Sequence, residues 1–261
     1  MLAERRRDMI LDMVAEMGSV SVNDLHHRLD VSRETIRRDI TRLASENRLR
    51  KTHGGALALE AVEPAFDERM EVNITGKRAI GRAASSLVPD GASLVIDAGT
   101  TTLCLAEALM ERRRLTVLTN DVHVAGRLAG RNDNQVLLLG GEFRGADTST
   151  FGADAVQMLA NYFPDFSFVG AGALTAHPWL MDYSREAAEL RGQMLVLART
   201  AVLLADQTKF SRTAPNRVAN LERTAHVVVD VPPPENMAAA LVSLGMEIIV
   251  APPADDETTA A

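Results

Sequence analysis

The sequence holds a single cysteine, Cys104, among its 261 residues. One thiol can neither build a disulfide framework nor supply a zinc site of the several-cysteine kind, so the chain fits a reducing compartment, the cytoplasm. Aromatic residues make up only 4% of it, too few for the stacking platforms that grip single-stranded nucleic acid. No apolar run approaches the ~18 residues of a spanning helix. The opening residues MLAERRRDMILDM are charged where an export signal would be apolar, so neither export nor a membrane is expected. Neither a G-x-G-x-x-G run opening a helix nor a phosphate loop with its lysine occurs. No metal site and no cofactor are expected.

What is present is an ordinary globular composition, 46% apolar and 24% charged, long enough for two domains. The net charge of -7 is unevenly spread. Residues 1–59 carry 11 basic and 9 acidic side chains, whereas residues 60–261 carry 17 and 26. Within residues 28–51 there are 8 basic against 4 acidic. A small basic head on an acidic body suits a chain of which one end meets a polyanion, although a solvated charged face has the same composition.

In the head, Met9, Ile10, Leu11 and Val14 mark an apolar stripe on a first helix that stops near Gly18. Ser21, with Asp24 three residues on, can cap a brief second helix ending near Leu29. Ser32 can cap a third, on which Ile36, Ile40 and Leu43 share one face. Arg38 lies almost opposite that stripe, with Glu34, Thr35, Arg37 and Arg42 around it. Arginines so placed can meet phosphates or read a guanine edge, and the Ser32 end offers free amides. Arg37 and Arg38 can equally be a helix surface paired with Glu34 or Asp39. The following Arg50-Lys51, the turn His53-Gly54-Gly55 and a short apolar run predict a two-stranded wing.

The stretch from Arg5 to Ala56 resembles the winged helix-turn-helix of the DeoR family of bacterial transcription regulators. Two spaced segments carry the likeness, Ser32-Arg33-Glu34-Thr35-Ile36-Arg37-Arg38-Asp39 and Arg50-Lys51-Thr52-His53-Gly54-Gly55-Ala56. The resemblance implies a DNA-binding domain over residues 1–59, with Ser32, Arg33, Thr35, Arg37, Arg38, Arg42, Arg50 and Lys51 as DNA-contacting residues.

A junction is expected over residues 60–74, where Pro64 disfavours helix before it. Residues 75–251 then alternate short apolar, β-branched runs with helical stretches, which predicts an α/β domain with a parallel sheet covered on both faces. Ligands of such sheets settle at the carboxyl ends of the strands. Asp97-Ala98-Gly99-Thr100-Thr101-Thr102 follows one predicted strand and opens a helix, a phosphate cradle in outline or a plain helix-capping turn. Thr119-Asn120-Asp121, Gly140-Gly141, Gly170-Ala171-Gly172 and Asp206-Gln207-Thr208-Lys209 follow others and should converge on it. The glycines are individually more often turns, and Asp206 with Lys209 can be a local ion pair.

The order of Lys77, the 97–102 loop, Asn120, Gly140-Gly141 and Asp206 to Lys209 again resembles the DeoR family, in its sensor domains, which are similar to the ribose-phosphate isomerase and coenzyme A transferase-like fold. That resemblance implies an effector site for a phosphorylated sugar or polyol at Lys77, Asp97, Gly99, Thr100, Thr101, Thr102, Asn120, Gly140, Gly141, Asp206 and Lys209. Thr175 to Asp182, with its Pro178-Trp179 pair, departs from the family's glycine-containing loop, and Glu142 is unusual near a phosphate. The implied protein is a repressor, without catalytic residues, that works as a homo-oligomer on double-stranded operator DNA. A sugar-phosphate isomerase using Asp97, Glu142 or Asp206 as base, and a DNA-binding protein with a ligand-blind body, are the other readings. Residues 252–261 form an acidic tail expected to be disordered.

Overall fold

The computed structural model of the protein describes residues 3–17, 19–46, 48–52, 54–57, 63–177 and 179–253. Residues 60–62 of the expected junction, His53, Pro178 and the tail from residue 254 onward lie outside the described residues. One compact unit comprises residues up to Glu63 together with Thr213–Pro215, and a second comprises Pro64–Arg212 and the residues from Asn216 onward.

The first unit contains α1 (Ala3–Met17), β1 (Ser19–Ser21), α2 (Val22–Leu29), α3 (Arg33–Ser45), β2 (Arg50–Lys51) and β3 (Gly55–Leu57). Ser21 Oγ accepts from the Asp24 amide at 3.0 Å and donates to the Asp24 carboxylate at 2.7 Å, which satisfies the free start of α2. Asp30 in the left-handed conformation ends that helix, and Ser32 Oγ accepts from the Thr35 amide at 3.2 Å to start α3. Ile10, Val14, Leu25, Leu29, Ile36, Ile40 and Leu43 form one apolar core. An ion pair of 2.6 Å between Arg6 Nε and Asp39 Oδ2, both nearly buried, ties α1 to α3. The wing differs from the two strands expected. Its sheet has three, in the order β1-β3-β2, because Ser19–Ser21 pairs antiparallel with Gly55–Leu57. Three residues are too few for alternation to mark that strand.

The second unit opens with α4 (Phe66–Glu71), α5 (Ile74–Ser85), β4 (Ser93–Ile96), α6 (Thr100–Ala108), β5 (Thr116–Thr119), α7 (Val122–Leu128) and β6 (Gln135–Leu138). A hairpin, β7 (Glu142–Arg144) and β8 (Ser149–Phe151), leads to α8 (Ala153–Leu159) and β9 (Phe166–Gly170). A second hairpin, β10 (Ala173–Leu174) and β11 (Leu180–Asp182), precedes α9 (Arg185–Leu197) and β12 (Thr200–Ala205). The unit ends with β13 (Asn216–Arg217), β14 (Thr224–Val229), α10 (Glu235–Ser243) and β15 (Glu247–Val250). Residues 66–71 thus form a helix inside the stretch expected to be a linker. Phe66 and Met70 pack on the core and Arg69 is buried, so these residues belong to the second unit. So short a helix shows too few apolar positions to be read from its period.

Seven strands make one parallel sheet in the order β15-β14-β12-β9-β4-β5-β6. Alternate residues enter different cores: Val95, Leu118, Val169 and Leu203 join Leu159, Leu190, Met194 and Leu241. Leu94, Ile96, Val117, Phe168 and Val202 join Ile80, Leu103, Leu105 and Val124. Burial on both faces is the reason the central strands are mostly apolar. From β4 the chain moves outward through β5 and β6, then returns to lay β9 on the other side of β4. The order therefore reverses between β4 and β9, and in sheets of this kind the crevice at the carboxyl ends beside such a reversal is where ligands settle.

Helices α5 and α6 on one face are in close contact. A Cβ added at Gly81 would lie 2.6 Å from the carbonyl carbon of Cys104, closer than any real contact. Gly81→Ala should therefore destabilise the second unit by about 1–3 kcal/mol in denaturant unfolding, overpacking outweighing the better helix propensity of alanine. Gly126→Ala, in α7 where the added Cβ meets nothing, should be neutral or stabilising by up to about 1 kcal/mol. Equal effects at the two sites would contradict the packing account.

Candidate functional site

Each unit carries one candidate surface. On the first, the polar face of α3 and the strand β2 border a shallow groove of about 720 Å³ that extends from Glu34 to Lys51. Ser32 and Thr35 are engaged with one another at the helix start, with 2.9 Å between hydroxyls. Arg33 Nη2 donates to Asn23 Oδ1 on α2 at 2.6 Å, and Arg42 Nε donates to Glu46 Oε1 at 2.9 Å. Lys51 Nζ donates to Thr41 Oγ1 at 2.9 Å, which fastens the wing to the middle of α3. Arg50 is exposed beside it. Arg37 and Arg38 approach only Glu34, at 3.9 and 3.7 Å, and the Arg38 side chain is 82% exposed. A helix flanked by a wing, with two cations free to leave a long ion pair, can enter a major groove and bind both backbone and base edges.

On the second unit, the loop after β4 is held from two sides. Gly99 donates its amide to Asp121 Oδ2 at 3.2 Å, and Asp121 Oδ1 accepts the amides that open α7, His123 at 2.7 Å and Val124 at 3.3 Å. On the other side, Asp97 is wholly buried and its Oδ2 accepts from the Gly170 amide at 3.1 Å and from Arg191 Nε at 2.5 Å. Arg191, on α9, also donates to the Ala98 carbonyl at 3.4 Å and pairs through Nη1 with Asp182 Oδ2. Burial pushes the Asp97 carboxyl above the usual carboxylate range, and Arg191 pulls against it. Between these two clamps α6 starts at Gly99, with Thr100, Thr101 and Thr102 buried in its first turn. Amides at such a helix start, with the positive end of its dipole, suit an anion.

The loop after β12 closes the crevice on its other side. Asp206 Oδ1 accepts from the Thr208 amide at 3.0 Å, and Lys209 ends the same short turn. Lys77, from α5, is buried and its Nζ donates to the Arg69 carbonyl. Burial lowers the pKa of this ammonium, while the Asp206 charge raises it. Asn73, in the left-handed conformation before α5, donates to Asp230 Oδ2 at 2.7 Å and Asp206 Oδ1 at 3.4 Å. Two buried acceptors, Asp206 Oδ2 and Asn120 Oδ1, have no hydrogen-bond partner among the described residues.

Asp97, Gly99, Thr100, Thr101, Thr102, Asn120, Asp206 and Lys209 thus follow the carboxyl ends of β4, β5 and β12, and Lys77 is near enough to Asp206 for that charge to act on it. Gly140 and Gly141 follow β6, two strands away from β4. Gly141, at φ 123°, lets the backbone press against the Phe151 carbonyl, a place where a Cβ would lie at 2.3 Å, so it seats the β7–β8 hairpin. Arg191, Asp182 and Asn73 escaped the sequence reading. Arg191 left a signal: it sits on the stripe of Ala187, Ala188, Met194 and Leu195, where a charge must find a buried partner.

Comparison with known proteins addresses both surfaces. Residues 6–62 match the family model of the DeoR-like helix-turn-helix domain, and residues 72–231 match that of the DeoR C terminal sensor domain. The chain is 31% identical over 246 residues, 94% of each chain, to the HTH-type transcriptional repressor CsqR of Escherichia coli (strain K12). It is 29% identical over 238 residues, 91% of this chain and 94% of the other, to the Glycerol-3-phosphate regulon repressor of the same strain. Among solved structures, ribose 5 phosphate isomerase A from Neisseria gonorrhoeae aligns with a TM-score of 0.38 at 18% identity, covering 51% of this chain and 52% of its own.

Arg191→Met leaves Asp97 and Asp182 buried without their cation and should cost about 3–5 kcal/mol in chemical unfolding. Adding Asp97→Asn should recover part of the loss, because one of the stranded charges is gone. A double variant no more stable than the single would show that the pair is not coupled through charge.

Proposed function

This chain belongs to the DeoR family, and on that premise we propose that it is a transcriptional repressor that binds operator DNA through α3 and its wing and lets go when a phosphorylated sugar or polyol enters the crevice of the second unit. The observation that carries this reading is that both halves match in order, the helix-turn-helix over residues 6–62 and the sensor domain over residues 72–231. The exposed Arg38 and Arg37 supply the DNA contacts, with Arg50 alongside. The effector's phosphate meets the start of α6 and Lys209. Its hydroxyls donate to Asp206 Oδ2 and Asn120 Oδ1, two buried acceptors that are costly to leave unpaired. A relative named for a glycerol-3-phosphate regulon makes polyol phosphates the first class to try.

Release on effector binding requires a coupling free energy between the two surfaces, typically about 1–3 kcal/mol. Winged-helix heads commonly act as symmetric pairs on repeated half-sites, so the working form in this proposal is a homo-oligomer. The isomerase reading is disfavoured by the relatives, which are named as transcriptional repressors. Of its three candidate bases, Asp97 is bound to Arg191 and to the Gly170 amide, which leaves it poorly placed to take a proton from a sugar carbon. No helix among the described residues is long and apolar enough to cross a membrane.

Gel shift on the upstream region of the protein's own operon, with and without sugar and polyol phosphates, tests the proposal. Arg38→Ala should weaken binding and flatten the plot of log K against log salt by about 0.9, the share of one phosphate contact, or relax one base position if it reads a guanine. Unchanged footprints would remove Arg38 from the interface. Thr101→Ala and Lys209→Ala should bind DNA normally but need more effector for release, and a normal effector response would remove them from the site. No aldose–ketose conversion above background is expected in a steady-state assay.

A further inference from the structure

Glu34 stands in the middle of the DNA-facing surface, where a carboxylate works against affinity. It is repelled by phosphates, and each arginine it holds is withheld from the backbone. Its structural return is small. The Glu34 side chain is 64% exposed, its ion pairs with Arg37 and Arg38 are 3.9 and 3.7 Å long, and pairs of that kind contribute little. The start of α3 is already capped by Ser32 through the Thr35 amide. Of the cations on this face, Arg33, Arg42 and Lys51 are fastened to Asn23, Glu46 and Thr41. Glu34, Arg37 and Arg38 are what remains to approach base edges, and they lie at the N-terminal end of the helix, the end that reaches bases in helix-turn-helix proteins.

A carboxylate only accepts hydrogen bonds, and in the major groove it is the cytosine amino group that it pairs with, just as an arginine pairs with guanine. Four residues of helix advance about 6 Å, and base pairs stack about 3.4 Å apart, so Glu34 and Arg38 address positions within about two base pairs of each other. We propose that Glu34 is a base-reading residue that selects a cytosine within about two base pairs of the guanine taken by Arg38. The inference rests on the operator-binding reading above. It adds a negative element to that reading: Glu34 lowers affinity for DNA in general and raises the preference for one base pair.

Selection from a random duplex pool by the full-length protein, followed by sequencing, tests it. The wild type should enrich a motif with a C·G pair beside a guanine. Glu34→Ala should lose preference at that pair by about tenfold and keep the other positions, while binding random duplex more tightly and with a steeper salt dependence, by about 0.9 in slope, as the freed Arg37 reaches one phosphate. Glu34→Gln should move the preference at that pair toward adenine, which the amide can bond at two points. The substitutions sit on an exposed helix face, and unchanged thermal unfolding would establish that they fold. An identical base profile for wild type and Glu34→Ala would overturn the inference and leave the repressor reading standing. No enriched motif from the wild type would overturn both.

Discussion

One guanidinium buried between two carboxylates holds the second unit's ligand crevice in shape. Arg191 reaches Asp97 at the end of β4 and Asp182 at the end of β11 from a position on α9, and all three side chains are almost wholly removed from water. Isolated charges there would be prohibitively costly, so each must keep its partners, and backbone amides add to them, Gly170 on Asp97 and Ser184 on Asp182. Because Arg191 also holds the Ala98 carbonyl, and Asp121 holds the Gly99 amide from the opposite side, the peptide that starts α6 is fixed at both ends. A helix start can select an anion only if its amides stay aimed, and these two clamps keep them so.

The same arrangement resolves an apparent conflict. A crevice bordered by Asp97, Asp121, Asp182 and Asp206 is an odd place for a phosphate. Yet Asp97 and Asp182 are turned to a guanidinium, Asp121 to three amides and Asp206 Oδ1 to the Thr208 amide. What these carboxylates leave open is the positive end of the α6 dipole and the two unpaired acceptors. Attraction therefore comes from groups set at fixed points and not from net charge, in keeping with an acidic body. In the proposed reading, a plain phosphate ion would leave the acceptors unpaired, whereas a phosphate carrying hydroxyls would suit both kinds of position.

Much of this was legible in the sequence, and the rest was hidden for identifiable reasons. Ser21 and Ser32 were readable as caps because capping is local, a side chain bonding an amide three residues on. The apolar run of Leu94, Val95 and Ile96 was readable as a strand because a central strand buried on both faces carries no polar interruption there. The third strand of the wing and α4 were too short to show a period. The joining of Asp97 to Arg191 spans 94 positions, and no local pattern announces a partner so distant. What the helical period of α9 did contain was the misfit itself, an arginine on an apolar stripe. Gly140-Gly141 shows the opposite failure. A glycine pair after a strand looks alike whether it admits a ligand or, as Gly141 does, another strand's carbonyl.

In the first unit, rigidity and reading are assigned to different charges. The buried pair of Arg6 and Asp39 fixes α3 against α1, and Lys51 on Thr41 fixes the wing against α3. Groups immobilised before binding need not be ordered during it, which lowers the entropic cost of the encounter. Arg37, Arg38 and Glu34 are long-paired and exposed, which is what a side chain that reads bases would need in order to exchange one partner for another. Asp39 and Arg38, adjacent in sequence, point about 100° apart around the helix and take different roles: one is buried in the fold, the other left exposed. A substitution at Asp39 should damage folding and binding together, whereas the pair of Glu34 and Arg38 can be altered without touching the core that presents it.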